Sequence, residues 1–169
     1  MNKPALYFLR HGIAVDKGTP KFKDSERPLI PKGIKEVKKV AKALKRMKFK
    51  PDLILTSPYI RAAHTAEIAA KILKIKNRFR YSLNLTPSKN FQTLLKELQK
   101  LSRKNREILL VGHEPHLSGF ISLLISGDSK TRLILKKSGL CKVIYEPQKL
   151  LPGRCALAWL LTPSQIISL

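Results

Sequence analysis

Acidic residues are scarce in this chain: 11 Asp and Glu stand against 34 Lys and Arg, a formal net charge of +23 over 169 residues. With so few carboxylates, the histidines have no accompanying carboxylate pair. The two cysteines, Cys141 and Cys155, lack C-x-x-C spacing. Neither a metal site nor a cofactor is therefore expected. The cysteines do not suit a disulfide either. They fall in two apparent strands, 140–146 and 154–161, and a hairpin centred near Leu150 would set Cys141 opposite about Trp159, several residues from Cys155. Buried free thiols in a reducing compartment are expected. Long apolar runs are also missing. The one near the N-terminus stops at Arg10, too short for a signal peptide or a membrane helix, so a cytoplasmic protein without a membrane partner is expected. No repeat, Gly/Ser linker or low-complexity tract divides the chain, and residues 1–169 read as one domain that buries about two-thirds of its unfolded surface. Aromatic residues do not interleave with the basic ones, so a nucleic-acid partner is not expected.

What is present is concentrated at three junctions. Leu6-Tyr7-Phe8-Leu9 reads as a buried strand and runs into Arg10-His11-Gly12. Arg10 brings a planar charged fork suited to phosphate oxygens, His11 a nitrogen nucleophile, and Gly12 room for a tetrahedral group close to the backbone. Leu53-Ile54-Leu55 leads into Thr56-Ser57-Pro58-Tyr59-Ile60-Arg61 and an Ala-rich helix, with Ser57 as N-cap and Pro58 at the first helical position. Arg61 then lies near a helix N-terminus, where a cation is unfavourable unless an anion joins it. Otherwise it is a solvated surface arginine. Ile108-Leu109-Leu110-Val111 ends in Gly112-His113-Glu114-Pro115, with an apolar helix following. If these strands are neighbours in one parallel sheet, Arg10, His11, Arg61 and His113 converge into a pocket for a phosphoryl dianion, since ligands collect at the carboxyl ends of such strands.

These residues resemble the histidine phosphatase superfamily, which includes the phosphoglycerate mutases. The matching features are Arg10-His11-Gly12, Ser57-Pro58-x-x-Arg61 with Thr65-Ala66, and Gly112-His113. Glu26-Arg27-Pro28-Leu29 followed by Gly33, Leu85-Thr86-Pro87 and Gly112-His113-Glu114-Pro115 look most like the SixA-type phosphohistidine phosphatases. The resemblance spans Tyr7 to about Trp159. It implies a three-layer α/β/α sandwich and a covalent phosphohistidine intermediate. It also implies substrate contacts from Arg27, although a surface arginine in a mobile loop explains that residue as well.

The spacing independently predicts strand 5–9, helix 31–48, strand 52–56, helix 57–74, a short strand 78–83, helix 88–103, strand 107–112, helix 115–126 and the closing hairpin. This is an α/β fold with a mainly parallel sheet and an antiparallel edge strand. In the first helix Ile34, Val37, Val40, Ala41, Leu44 and Met47 should face the core, while Lys35, Lys38, Lys39, Lys42, Lys45 and Arg46 cover the other side. Such a surface attracts polyanions, or else reflects an organism-wide lysine bias. His64 and His116 lie outside the motifs and read as structural or surface residues.

The expected chemistry is in-line attack by neutral His11 on phosphorus, with Arg10, Arg61 and His113 stabilising the equatorial oxygens. Ser57 could contact phosphate or simply cap its helix. Many superfamily members carry a glutamate after the third strand that protonates the leaving oxygen. Here Ser82-Leu83-Asn84-Leu85-Thr86-Pro87 holds no acid. Glu114 is the one obvious substitute as proton donor, and a favourable charge at the start of a helix is its other reading. A site without a strong acid suits a leaving group that needs little protonation, such as the imidazole of phosphohistidine. The leading expectation is thus a phosphatase acting on a phosphorylated protein, for which a histidine phosphotransfer domain is a candidate, with phosphate or other anions binding in the pocket. A phosphatase for small phosphate esters and a polyanion-binding protein using the basic helix are the alternatives.

Overall fold

A computed structural model describes residues 3–75 and 78–169. Its frame is a six-stranded sheet built from β1 (Ala5–Arg10), β2 (Leu53–Thr56), β3 (Phe79–Tyr81), β4 (Glu107–Gly112), β5 (Leu140–Ile144) and β6 (Ala156–Leu161), in the order β3-β2-β4-β1-β5-β6. β1, β2 and β4 read as unbroken apolar runs because helices cover both faces of the sheet. On one face Ala5, Tyr7 and Leu9 of β1 meet Val40 and Leu44 of α1 (Pro31–Arg46), Ala62 and Ala66 of α2 (Ile60–Leu73), and Ile166 of α5 (Pro163–Ser168). On the other, Leu6 and Phe8 meet Leu94 and Leu98 of α3 (Phe91–Leu101) and Leu117 and Phe120 of α4 (His116–Ser126). Alternation along one strand thus feeds two cores, giving the three-layer α/β/α arrangement.

Register is what positions the site. β1 and β4 pair in parallel with Arg10 opposite Gly112, and β2 and β4 pair with Thr56 opposite Val111. The ladder continues one step past β1, where the His11 N–H donates to the Gly112 carbonyl (3.1 Å). The carboxyl ends of β1, β2 and β4 therefore finish side by side.

Several details differ from the sequence expectation. The edge strand β6 does pair antiparallel, but the strand running against the parallel set is β5, one place in from the edge between β1 and β6. Residue patterning reveals a hairpin but not which of its strands meets β1. Cys141 faces Leu160, not Trp159, with a register shift between Lys142 and Val143. Both cysteines are free and buried, and burial pushes their thiols up, to about 12 for Cys141 and about 11 for Cys155. In α1 the buried stripe includes Ala43, while Met47 is 44% exposed because the helix stops at Arg46. The terminal helix α5 lies beyond the elements that the spacing predicts. Its signature is a capping box in which the Thr162 hydroxyl accepts the Gln165 N–H and the Gln165 side chain accepts the Thr162 N–H, with Pro163 opening the helix.

Candidate active site

His11 sits just beyond β1, 6% exposed. Its Nδ1–H donates to its neighbour's carbonyl, Gly12 O (2.7 Å), which leaves the lone pair on Nε2. That lone pair faces Arg61, whose Nε–H donates to it at 3.2 Å. Burial is the largest influence on the imidazole. Together with the Arg61, Arg10 and Lys137 charges it outweighs the Gly12 hydrogen bond and holds the pKa down near about 3. His11 is therefore neutral at physiological pH.

Arg61 enters from the first turn of α2 and is 3% exposed. Beyond His11, its Nη1 donates to Asp24 O and its Nη2 to Asp24 Oδ2 (3.2 Å), while its guanidinium lies over the Tyr59 ring, 5.2 Å from the centroid. Asp24 belongs to a short 3₁₀ turn, Asp24–Glu26, in the loop between β1 and α1. Its Oδ1 also accepts from Arg27 Nε (3.0 Å) and Nη2 (2.8 Å), and Arg27 Nη1 donates to Val15 O. Burial works to raise the Asp24 carboxyl but is overcome by Arg27 and Arg61, so it lies below the usual carboxylate range. Arg27 is thus locked in place and joined to the site through Asp24.

Ser57 has a different local role from the one its position suggests. α2 begins at Ile60 with Tyr59 as a cap lacking any side-chain cap bond, so Ser57 lies outside the helix. Its Oγ accepts the Tyr59 N–H (3.3 Å) and lies 2.8 Å from His113 Nε2. The hydroxyl thus meets both the Tyr59 N–H and the imidazole that β4 delivers. His113 is 1% exposed, with its ring 5.2 Å from that of His11 and 5.1 Å from Tyr59. Burial, then Arg61 and His11, lowers its pKa to about 2. His113 Nδ1 and Arg10 Nε are buried without any hydrogen-bond partner among the described residues. Two such atoms beside a cluster of cations are what an anion's oxygens can satisfy.

Arg10 is half-buried, and its Nη1 donates to Leu135 O (3.0 Å). Burial lowers its pKa, with the Glu114 charge acting in the opposite direction. Glu114 Oε1 accepts the Ser118 N–H (3.0 Å) in the first turn of α4, as a helix-stabilising charge would, and burial raises its pKa against that bond. Gly12 contributes backbone: its N–H donates to Thr65 Oγ1 (3.1 Å), and a Cβ there would lie 2.6 Å from Val37 Cγ2. Around the expected acid position, Glu97 of α3 accepts from Ser82 Oγ (2.6 Å) and Asn84 Nδ2 (2.8 Å) and so pins that loop.

Thr65, already part of the motif that follows Arg61, joins Gly12 to α2 by also donating to Arg61 O (2.7 Å). Sequence reading missed two contributors. Asp24 was signalled only by its i,i+3 spacing to Arg27. Lys137, whose charge reaches His11, had no signal. Of the two remaining histidines, His116 is buried with Nε2 3.1 Å from Lys89 O, and His64 is half-exposed. Among the described residues no group of three or more His, Cys, Asp or Glu could hold a metal ion, and no helix is long and apolar enough to cross a membrane.

At the carboxyl ends of the parallel strands a buried Arg61 and a half-buried Arg10 flank a neutral imidazole, the features of an oxyanion-binding site on an α/β sheet. Comparison with known proteins makes this specific. The model of the histidine phosphatase superfamily (branch 1) matches residues 6–84. An uncharacterized protein of Picosynechococcus sp. is 35% identical over 136 residues, covering 80% of this chain and 81% of that protein. Phosphohistidine phosphatase SixA of Escherichia coli K12 is 27% identical over 125 residues, covering 73% and 76%. A solved structure of the protein histidine phosphatase SixA complexed with tungstate superposes with a TM-score of 0.82 at 25% identity, covering 95% of this chain and 97% of that one. The chain belongs to the histidine phosphatase superfamily, and its likeness to the SixA proteins groups it with their branch. The activity that goes with this membership is phosphatase activity.

Proposed function

We propose that the protein hydrolyses phosphohistidine in a protein substrate, with His11 as nucleophile. The observation that carries this reading is the locked tautomer of His11: Nδ1–H is committed to Gly12 O, so Nε2 offers its lone pair within a buried cluster of cations. An incoming phosphoryl group takes over the Arg61 Nε–H that caps the lone pair. Nε2 attacks phosphorus in line, the P–N bond to the substrate histidine breaks, and the departing imidazole keeps the electron pair and gains a proton from solvent. Water then attacks phospho-His11 and releases phosphate.

The equatorial oxygens carry the developing charge. Arg61, Arg10 Nε–H and His113 are the donors for them. With the Ser57 hydroxyl donating to His113 Nε2, the His113 proton stays on Nδ1, the atom left without a partner among the described residues. The tungstate held by SixA is a tetrahedral oxyanion, and it supports a pocket of this kind here.

Leaving-group chemistry separates the substrate classes. Asp24 is held ionised by two arginines, and Glu114 spends Oε1 on a helix N–H, the role of a helix-stabilising charge. An imidazole departs without a free acid and an alkoxide does not. The partner is then a phosphorylated protein in the cytoplasm, with a histidine phosphotransfer domain as the candidate. A second reading, small phosphate esters, is favoured by one observation, the raised pKa of Glu114, which would suit a proton donor. A substrate panel decides. Phosphohistidine and p-nitrophenyl phosphate should exceed phosphoserine and sugar phosphates in kcat/KM by at least ~10²-fold, the usual contribution of a general acid, and Glu114→Gln should leave the phosphohistidine rate nearly unchanged. Efficient alkyl phosphate hydrolysis that collapses in Glu114→Gln would replace this reading with the second.

A further inference from the structure

Helices α1 and α2 pack side by side and leave between their outer surfaces a groove of about 810 Å³. Its floor is apolar: Ile68 is buried, and Ile34 and Ile72 are half-buried against the small core around Val37. Its rims are basic. Lys38, Lys42 and Lys45 recur along one face of α1, and Lys71 and Lys74 stand across from them. Among the described residues none of these five lysines pairs with a carboxylate. Glu67, the acid of the lining, accepts the Tyr81 hydroxyl instead (3.2 Å).

We propose that this groove docks an acidic amphipathic helix of the phosphoprotein substrate, an inference that rests on the protein-phosphatase reading above. An apolar floor between two cationic rims is complementary to a helix with apolar side chains at i, i+3, i+4 and i+7 and carboxylates on both flanks. A nucleic acid or other extended polyanion would satisfy the rims and leave the isoleucines without partners. The length agrees: Lys38 to Lys45 spans about 10 Å of helix axis, roughly two turns. So does the position. Arg61 and His64 lie in successive turns of α2, the first in the active site and the second in the groove lining, so a docked helix ends close to the phosphoryl pocket. Lysines on the rims would speed encounter with an acidic partner, and the isoleucines would hold it.

The test uses the full chain and a hydrocarbon-stapled peptide with leucines at i, i+3, i+4 and i+7 and flanking glutamates. A scrambled peptide of identical composition and an RNA duplex serve as comparisons. Binding is followed by fluorescence anisotropy at fixed ionic strength and mapped by NMR. The patterned peptide should shift the Ile34, Ile68 and Ile72 methyl resonances and bind at least tenfold more tightly than the scrambled one. Lys38→Glu/Lys42→Glu/Lys45→Glu and, separately, Ile72→Ser should each weaken it at least tenfold. Turnover of p-nitrophenyl phosphate should stay unchanged in both variants, since none of these residues touches the reacting group. Equal binding of scrambled peptide or RNA, indifference to Ile72→Ser, or shifts confined to another surface would each overturn the proposal. Because binding is read without any phosphohistidine, a failed substrate panel would leave this result standing on its own.

Discussion

Cationic side chains dominate two regions of the molecule, and they are used in opposite ways. At the strand ends Arg61 is 3% exposed, and each of its nitrogens has a named partner in His11 or Asp24. Along the α1–α2 groove the lysines are exposed and carry no ion pair among the described residues. Charge held in a water-poor site by hydrogen bonds is preorganised, and it acts on a transition state without reorganisation. Charge on flexible stems in water is screened within about 10 Å and contributes attraction more than geometry. Net charge alone therefore says little about chemistry. Burial and fixed partners decide it.

The sharpest break in the comparison is His11→Ala, which should lower turnover by at least roughly 10⁴-fold while leaving the fold intact. Wild type quenched in alkali after brief incubation with labelled substrate should carry acid-labile phosphate, and the variant none. An active His11→Ala enzyme would end the covalent mechanism.

Arg61→Ala comes next, with an expected loss of about 10²–10³ in kcat, the usual cost of one preorganised donor. Near-normal kcat would mean that Arg61 serves Asp24 and not the phosphoryl group.

Ser57→Ala should cost less, roughly tenfold in kcat, because it removes one hydrogen bond that orients the buried His113 ring. Circular dichroism should show an unchanged helix content, since Ser57 lies outside α2. A lost helical signal would restore a capping role.

Acid stability gives a subtler contrast. Well above pH 6.5 His11 and His113 are neutral in folded and unfolded chains alike and contribute no pH dependence. As pH falls from 6.5 towards about 3 and about 2, the unfolded chain takes up protons that the folded chain refuses. Folded stability therefore declines through that window and levels off below it. Melting temperatures measured against pH should fall more steeply for wild type than for His11→Asn/His113→Asn. Parallel curves would show that the imidazoles are not held neutral by the fold.

The smallest effect should come from the groove. Lys42→Gln should change stability by no more than about 0.5 kcal/mol, as expected for an exposed side chain in denaturant titrations. A larger loss would mean that this lysine is held by the fold, as Arg61 is.

Most of what local pattern can carry was legible in the residues themselves. The apolar runs of β1, β2 and β4, the helical stripe of α1, and the placement of Arg10, His11, Arg61 and His113 next to strand ends all depend on neighbours within a few positions. Such neighbours leave a period or a motif in the sequence. The capping box of α5, Thr162 with Gln165, is equally local.

Tertiary structure decided the rest, because it turns on which distant segments become neighbours. The Arg10–Gly112 register, not either motif, brings the His11 and His113 rings within 5.2 Å. Ser57 looks like a helix cap until β4 sets an imidazole 56 positions away beside its hydroxyl. Asp24 reads as one more loop acid, and only the fold lays it against Arg61, 37 positions on. The place of β5 inside the sheet was hidden for the same reason, since a hairpin shows its own pairing but not the strand it will join. Chain order determined which chemical groups this protein has at its strand ends; packing determined which of them touch, and so which proton sits on which nitrogen.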